Sequence, residues 1–407
     1  MLHKFIKKID KNVALIILLY VVFLYCQVFQ GSFERKTGTN SVDFSYGVST
    51  LSSFSMYTAS LLAILIGFFR SSRYKNILSY KTVLIILSVF MVLWFIYESF
   101  YYGMTPVLRS SSCFPLIYLI FWALFFSFDS KSWDTIIISA KILGPILLIL
   151  SLQQALSFQN IYGGYIGNSP QILLLGNGFC VMMVALLGHD NKDGIITKVF
   201  NIGCILCGIA TAIIYATRSW TIQCILLIIV YLIKQSHNIK IKDVIMIIIS
   251  GLLIFYAYVL ITNNLSDSVA FIYDRGMSDS RSWQYEEIFS QFSFWELFWG
   301  QGTFGKYHSA NYGNYGFIDN TSVLLWFHYG FITMLLILYL LLKAPFKVLT
   351  SKKSNGEMKT EAIIMVLWFC ALNGLSVYNT IIFDLRNLFM VFALGKCLQN
   401  YGLIRKY

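Results

Sequence analysis

Val13-Ala14-Leu15-Ile16-Ile17-Leu18-Leu19-Tyr20-Val21-Val22-Phe23-Leu24-Tyr25-Cys26-Gln27-Val28-Phe29 carries no charge, and it decides the fold class. About 20 mainly apolar residues wound as an α-helix cross the hydrocarbon layer of a bilayer. The run has no small-residue cleavage site and continues into the chain, so it reads as a first membrane helix rather than a cleaved signal peptide.

The rest of the 407 residues repeat the pattern. Apolar runs suited to spanning lie near 13–30, 51–69, 82–102, 113–128, 135–157 and 170–188. Six more lie near 197–216, 219–234, 242–262, 321–343, 361–379 and 382–400. Only 12% of the residues are charged, against about 25% in soluble domains, and mean hydropathy is +0.67. The expectation is a single all-α polytopic membrane domain over residues 1–407, with about twelve spans.

The net charge of +12 does not point to nucleic acid, because the basic residues are interleaved with the apolar runs instead of forming one patch. Alternate segments hold nearly all the lysine: Lys4, Lys7, Lys8 and Lys11, then Lys75 and Lys81, Lys192 and Lys198, Lys234 and Lys240, and Lys343 to Lys359. Cytoplasmic loops are enriched in Lys and Arg, so both termini are expected in the cytoplasm. The opposite side carries few cations, mostly arginine: Arg35, Arg109, Arg218, Arg275, Arg281 and Arg386, with Lys36 and Lys306. Arginine presents a planar fork suited to phosphate.

One long segment, 262–320, falls on that opposite side, between the ninth and tenth runs. Within it Tyr285, Ile288, Phe289 and Phe292 recur at helical spacing, predicting a short amphipathic helix capped by Asp279 or Ser280, its apolar face on the membrane surface. Phe294, Trp295, Phe298 and Trp299 form an aromatic cluster suited to headgroup level. Gly300-Gln301-Gly302-Thr303-Phe304-Gly305 matches the dinucleotide fingerprint, but that pattern carries meaning only between a strand and a helix. Here Gly300, Gly302 and Gly305 read instead as a turn that lets backbone approach a ligand.

Arg218 stands between two apolar runs with almost no loop, and charge at such depth is costly and usually functional. Arg281 opens the amphipathic helix, where the helix N-terminus adds to its attraction for an anion, and Arg275 follows by the same logic. These three are the candidate diphosphate ligands. Asp319, at the mouth of the tenth run, reads either as a helix cap or as a general base for a sugar hydroxyl, with Glu286 and Glu287 as competing bases. The eight cysteines fall in or beside apolar runs and read as packing residues, Cys204 and Cys207 included. Pro145 is expected to kink its span and Pro170 to open one. No metal site is expected: the outer segment holds no D-x-D, and His308 stands there alone.

This arrangement resembles the O-antigen polymerase and ligase superfamily of bacterial envelope glycosyltransferases. The resemblance rests on about twelve spans and a large outer loop between the ninth and tenth. It rests also on Ala216-Thr217-Arg218-Ser219, and on Arg281-Ser282-Trp283 through Gly300-Gln301-Gly302 to Asp319-Asn320 and Tyr329-Gly330. It implies a GT-C-like, metal- and cofactor-independent enzyme of the bacterial inner membrane. Donor and acceptor would be undecaprenyl-diphosphate-linked oligosaccharides, with the bilayer, a chain-length regulator and a flippase as partners. Arg218 and Arg281 would hold the diphosphate. Ligases of the family carry a histidine where this chain has Asp319, so the resemblance favours the polymerase. The alternatives are a ligase acting on lipid A core, a transporter of lipid-linked oligosaccharide, and an envelope scaffold.

Overall fold

The computed structural model describes residues 9–35, 42–45, 47, 49–74, 77–109, 114–162, 173–188, 193–215, 217–235, 281–310, 313–316, 318, 320–375 and 383–406. Helix α1 (Lys11–Phe29) leads into a small antiparallel hairpin of β1 (Ser32–Arg35) and β2 (Val42–Ser45). Next come α2 (Thr50–Ser71), α3 (Leu78–Tyr102), α4 (Met104–Arg109), a 3₁₀ helix (Pro115–Phe128) and α5 (Ser130–Tyr162). Helices α6 (Leu173–Leu187), α7 (Ile195–Ile214) and α8 (Arg218–Gln235) complete the first part. The second contains α9 (Arg281–Gln291), α10 (Phe294–Trp299), the hairpin β3 (Tyr307–Ser309) and β4 (Gly313–Tyr315), and α11 (Thr321–Thr350). It closes with α12 (Gly356–Cys370), a π turn (Ala371–Leu375) and α13 (Leu385–Lys406).

Among the described residues, α1, α2, α3, α5, α7 and α11 are long and apolar enough to cross a membrane. Their outer surfaces carry Leu18, Phe69, Leu93, Ile142 and Ile196, each more than half exposed. A soluble monomer rarely shows such a continuous apolar exterior, whereas lipid solvates it. The chain is a helical membrane protein. The expected ninth run, 242–262, and Pro170 lie outside the described residues.

Two segments form the interior. Every residue of α6 is buried, as expected of a helix that is apolar all round, and α5, α7, α8, α12 and α13 surround it. The second is the 3₁₀ helix. With the roughly 2.0 Å rise of that winding, its residues reach about 28 Å, close to the ~30 Å hydrocarbon layer that an α-helix of equal length would not cross. It threads between α2 and α13 because both present glycine to it. A Cβ at Gly67 would lie 2.6 Å from the Trp122 carbonyl carbon, and one at Gly395 2.7 Å from that of Leu124. Small residues let membrane helices approach backbone to backbone.

Pro145 lies inside α5, next to Gly144, where a Cβ would lie 3.0 Å from the backbone of Met182 in α6. Cys204 and Cys207 are free thiols packed in α7.

Among the described residues the buried charged side chains lie towards helix ends. At the lysine-rich end Asp10 caps α1, accepts from Arg70 Nη2 at 2.7 Å, and takes a short hydrogen bond from the Ser132 hydroxyl. Its own amide donates to Thr135 at 2.9 Å, so α1, α2 and α5 are tied together there. Lys234 caps α6, donating to the carbonyls of Leu186 and Leu187.

Candidate functional site

The opposite end is organised around a break in α11. Gly330 adopts φ 83° and ψ 169°, a conformation reserved to glycine. In an unbroken helix the carbonyls of Phe327 and His328 would accept from amides four residues on. Here they accept instead from Gln301 N at 2.8 Å and Gly302 N at 2.7 Å.

The glycines make this docking possible. Gly300 and Gly302 have φ of 91° and 75°. A Cβ at Gly300 would lie 2.6 Å from Gly330 N, and one at Gly330 2.7 Å from the Trp299 carbonyl carbon. The close approach expected of the G-x-G pattern is therefore to protein backbone, the two helical halves of α11. Gly305 closes the turn by donating to Gly302 O at 3.1 Å.

Side chains secure the same loop. Glu98, fully buried and the only acidic residue in α3, accepts from both the amide and the hydroxyl of Thr303. The Thr303 hydroxyl also meets Tyr329 Oη at 3.0 Å. His328, buried one residue away, sets Nδ1 2.6 Å from Gly302 O and Nε2 3.1 Å from Gly316 O. Neutral imidazole donates through one nitrogen only, and the shorter contact favours the tautomer with hydrogen on Nδ1.

The amphipathic helix forms as expected, but its apolar face has another partner. Ile288 packs with Leu297, Tyr307, Ile318, Leu324 and Phe327 in a small core of their own. Phe289 packs at a tilt on Trp326 at 4.9 Å, and Phe292 meets Phe327 edge-on at 5.3 Å. This corrects the expectation of a helix lying on the membrane: the first turns of α11 offer a preformed apolar wall, and burying Ile288 there removes it from lipid as well as from water. Phe294, Trp295 and Trp299 do remain exposed, on α10.

The expected carboxylates separate by role. Glu287 Oε1 accepts from Ala310 N at 2.9 Å, bracing the β3–β4 hairpin, whereas Glu286 is exposed. Gln291 holds His308 on both sides, accepting from its amide at 2.8 Å and donating to its carbonyl at 2.6 Å. The cap of α11 is Asn320, whose Oδ1 accepts from Ser322 N at 2.9 Å and Val323 N at 3.2 Å. The capping role considered for Asp319 thus belongs to its neighbour. Asp319 itself and Arg275 lie outside the described residues, as do Asp279 and Ser280.

Arg218 and Arg281 are the first residues of α8 and α9; their side chains lie outside the described set. Arg386 is buried and paired with Asp384 at 3.0 Å, and its amide donates to Asn177 Oδ1 at 2.7 Å. The Cβ position of Gly176 lies 3.2 Å from Trp220 and 3.4 Å from Arg386 Nη1, so the first turn of α8 stands beside this pair. The π turn touches both α8 and α11, and its Asn373 accepts from the Ser322 hydroxyl. The loop module, the start of α8 and the buried ion pair therefore share one end of the bundle.

Sequence reasoning passed over Glu98, His328, Asn373 and Asp384. The available signals were Glu98 and Asp384, each an acid in an expected apolar run.

Fold and site together define a polytopic helical membrane protein whose loop module is clamped into a broken membrane helix. No family model matches the chain, and neither any curated protein nor any solved structure does.

Proposed function

We propose that this protein is a metal-independent glycosyltransferase of the O-antigen polymerase class, with about twelve spans and both termini in the cytoplasm of a bacterial cell. It transfers a growing glycan from undecaprenyl diphosphate onto a new lipid-linked repeat unit at the outer face of the inner membrane. One observation carries the reading: a folded loop module is fixed at a glycine break in α11, at the end of the bundle where α8 begins with Arg218, and the module's own first helix begins with Arg281.

Helix N-termini and arginine both favour a diphosphate. Arg218 and Arg281 hold the leaving group and stabilise the charge that develops on it as the glycosidic bond breaks. The incoming hydroxyl loses its proton to a carboxylate. Asp319 is the assigned base, because Glu287 is engaged with Ala310. Placement of both lipid-linked sugars supplies the rest of the rate by proximity.

The test is reconstitution of the purified chain in liposomes with the native undecaprenyl-diphosphate repeat unit. The expected result is extension of the lipid-linked glycan, unchanged by EDTA and reduced about 100-fold or more by Arg218→Ala or Arg281→Ala, as when a charge-stabilising donor is lost. Transfer only to a lipid A core acceptor would establish the ligase instead. Transbilayer movement of intact substrate without bond formation would establish a transporter.

A further inference from the structure

Nothing in a transglycosylation requires a carboxylate within an apolar helix, yet Glu98 lies fully buried in α3. Both oxygens accept from Thr303, one from the amide and one from the hydroxyl. The Cβ position of Gly302 lies only 2.7 Å from Glu98 Oε1, so this glycine is needed for the carboxylate to reach the amide beyond it. Around the contact, Tyr102 packs on Phe304 at 4.6 Å and Trp94 on Tyr329 at 5.9 Å. Helix α3 thereby grips the loop on one side while the broken carbonyls of α11 hold it on the other.

We propose that Glu98 is a positioning residue: through Thr303 it fixes the module that begins at Arg281 over the bundle, and so sets where the start of α9 and the Asn320 cap of α11 stand relative to the start of α8. The inference rests on the glycosyltransferase reading for its functional half only. A buried acid is costly in lipid and is retained where its partner is specific. The partner here is 205 residues distant in sequence, which makes the contact a clasp between two separately folded parts.

Glu98→Leu, Glu98→Gln and Thr303→Val are compared in the full chain in nanodiscs by amide hydrogen exchange of a peptide covering 299–306, and in cells by surface glycan length. Glu98→Leu should raise exchange there about ten- to a hundred-fold, the range given by loss of a hydrogen bond to a charged group. It should also shorten the glycan at normal protein level. Glu98→Gln, which keeps an acceptor for the amide, should restore most of both, and Thr303→Val should lie between.

Unchanged exchange in Glu98→Leu overturns the clasp. Raised exchange with unchanged glycan length overturns its positioning role. If deleting the gene leaves the glycan unaltered, the polymerase reading falls and the positioning role with it, while the exchange measurement still decides the clasp.

Discussion

Replacing Gly330 by alanine asks whether the break in α11 is what holds the loop module. A side chain there must adopt a backbone region that costs about 1–3 kcal/mol for any residue but glycine, and its Cβ would meet the carbonyls of Phe298 and Trp299. The cheapest relief is for α11 to straighten. The carbonyls of Phe327 and His328 then pair within the helix, and the hydrogen bonds from Gln301 and Gly302, each contributing about 0.5–1.5 kcal/mol, are lost. Strain and the crowded Cβ, the latter costing about 1–3 kcal/mol, should together weaken docking of the module by about 2–6 kcal/mol.

Trypsin cleavage after Lys306 reads this directly. Its side chain is exposed, but the backbone on either side is held at Gly305 and in β3. When opening and closing outrun cleavage, the rate follows the population of the open form, so Gly330→Ala should be cut at least about 30-fold faster than wild type. Gly203, inside α7 with nothing near its Cβ position, is the control. Alanine there should leave cleavage unchanged and stabilise the bundle by up to about 1 kcal/mol. Cleavage of Gly330→Ala at the wild-type rate would refute the account of the break.

Gly67→Ala and Gly395→Ala should each destabilise by about 1–3 kcal/mol or more, because a Cβ at either drives into the 3₁₀ helix. Thermal unfolding in detergent checks this, and a wild-type midpoint for either would place that helix elsewhere. Arg70→Ala should cost about 3 kcal/mol by leaving Asp10 buried without its cation, with Asp10→Asn restoring part of the loss. Burial alone raises the Asp10 carboxyl, but hydrogen bonds from Arg70 and Ser132 and the charge of Arg70 outweigh it, holding the group below its usual 3.8. A depressed carboxyl contributes stability that is fully present above that value and lost as pH falls through the lower one. Wild type should therefore lose stability below about pH 4 relative to Asp10→Asn, and parallel acid curves for the two would contradict the pairing.

Six of the expected spans have a counterpart among the described helices, legible because lipid demands long apolar runs. α1, α3 and α11 begin within a few residues of where hydropathy places them, α3 at Leu78 against an expected start near 82. The 115–128 segment was legible as apolar but not as a 3₁₀ helix, and its close fit against Gly67 and Gly395 involves neighbours remote in sequence. Helix α9 was visible in its periodicity, whereas its partner was not: an apolar face says that something is covered, not whether lipid or Trp326 covers it. The same holds at the site. Tyr329-Gly330 and Gly300-Gln301-Gly302 were noticed separately, but that each exists for the other needs the fold. Glu98 and His328 were hidden because a polar residue in an apolar run shows its cost in sequence and its partner only in space.

The most direct test of the central claim is made in the native host. The gene is deleted and complemented with wild type, Arg218→Ala or Arg281→Ala, and the surface polysaccharide is resolved on a gel. The account predicts that deletion collapses the long ladder to a single repeat unit on its surface acceptor, that wild type restores the ladder, and that neither arginine variant does so at normal protein level. A full-length ladder in the deletion strain, or full restoration by both variants, would contradict it.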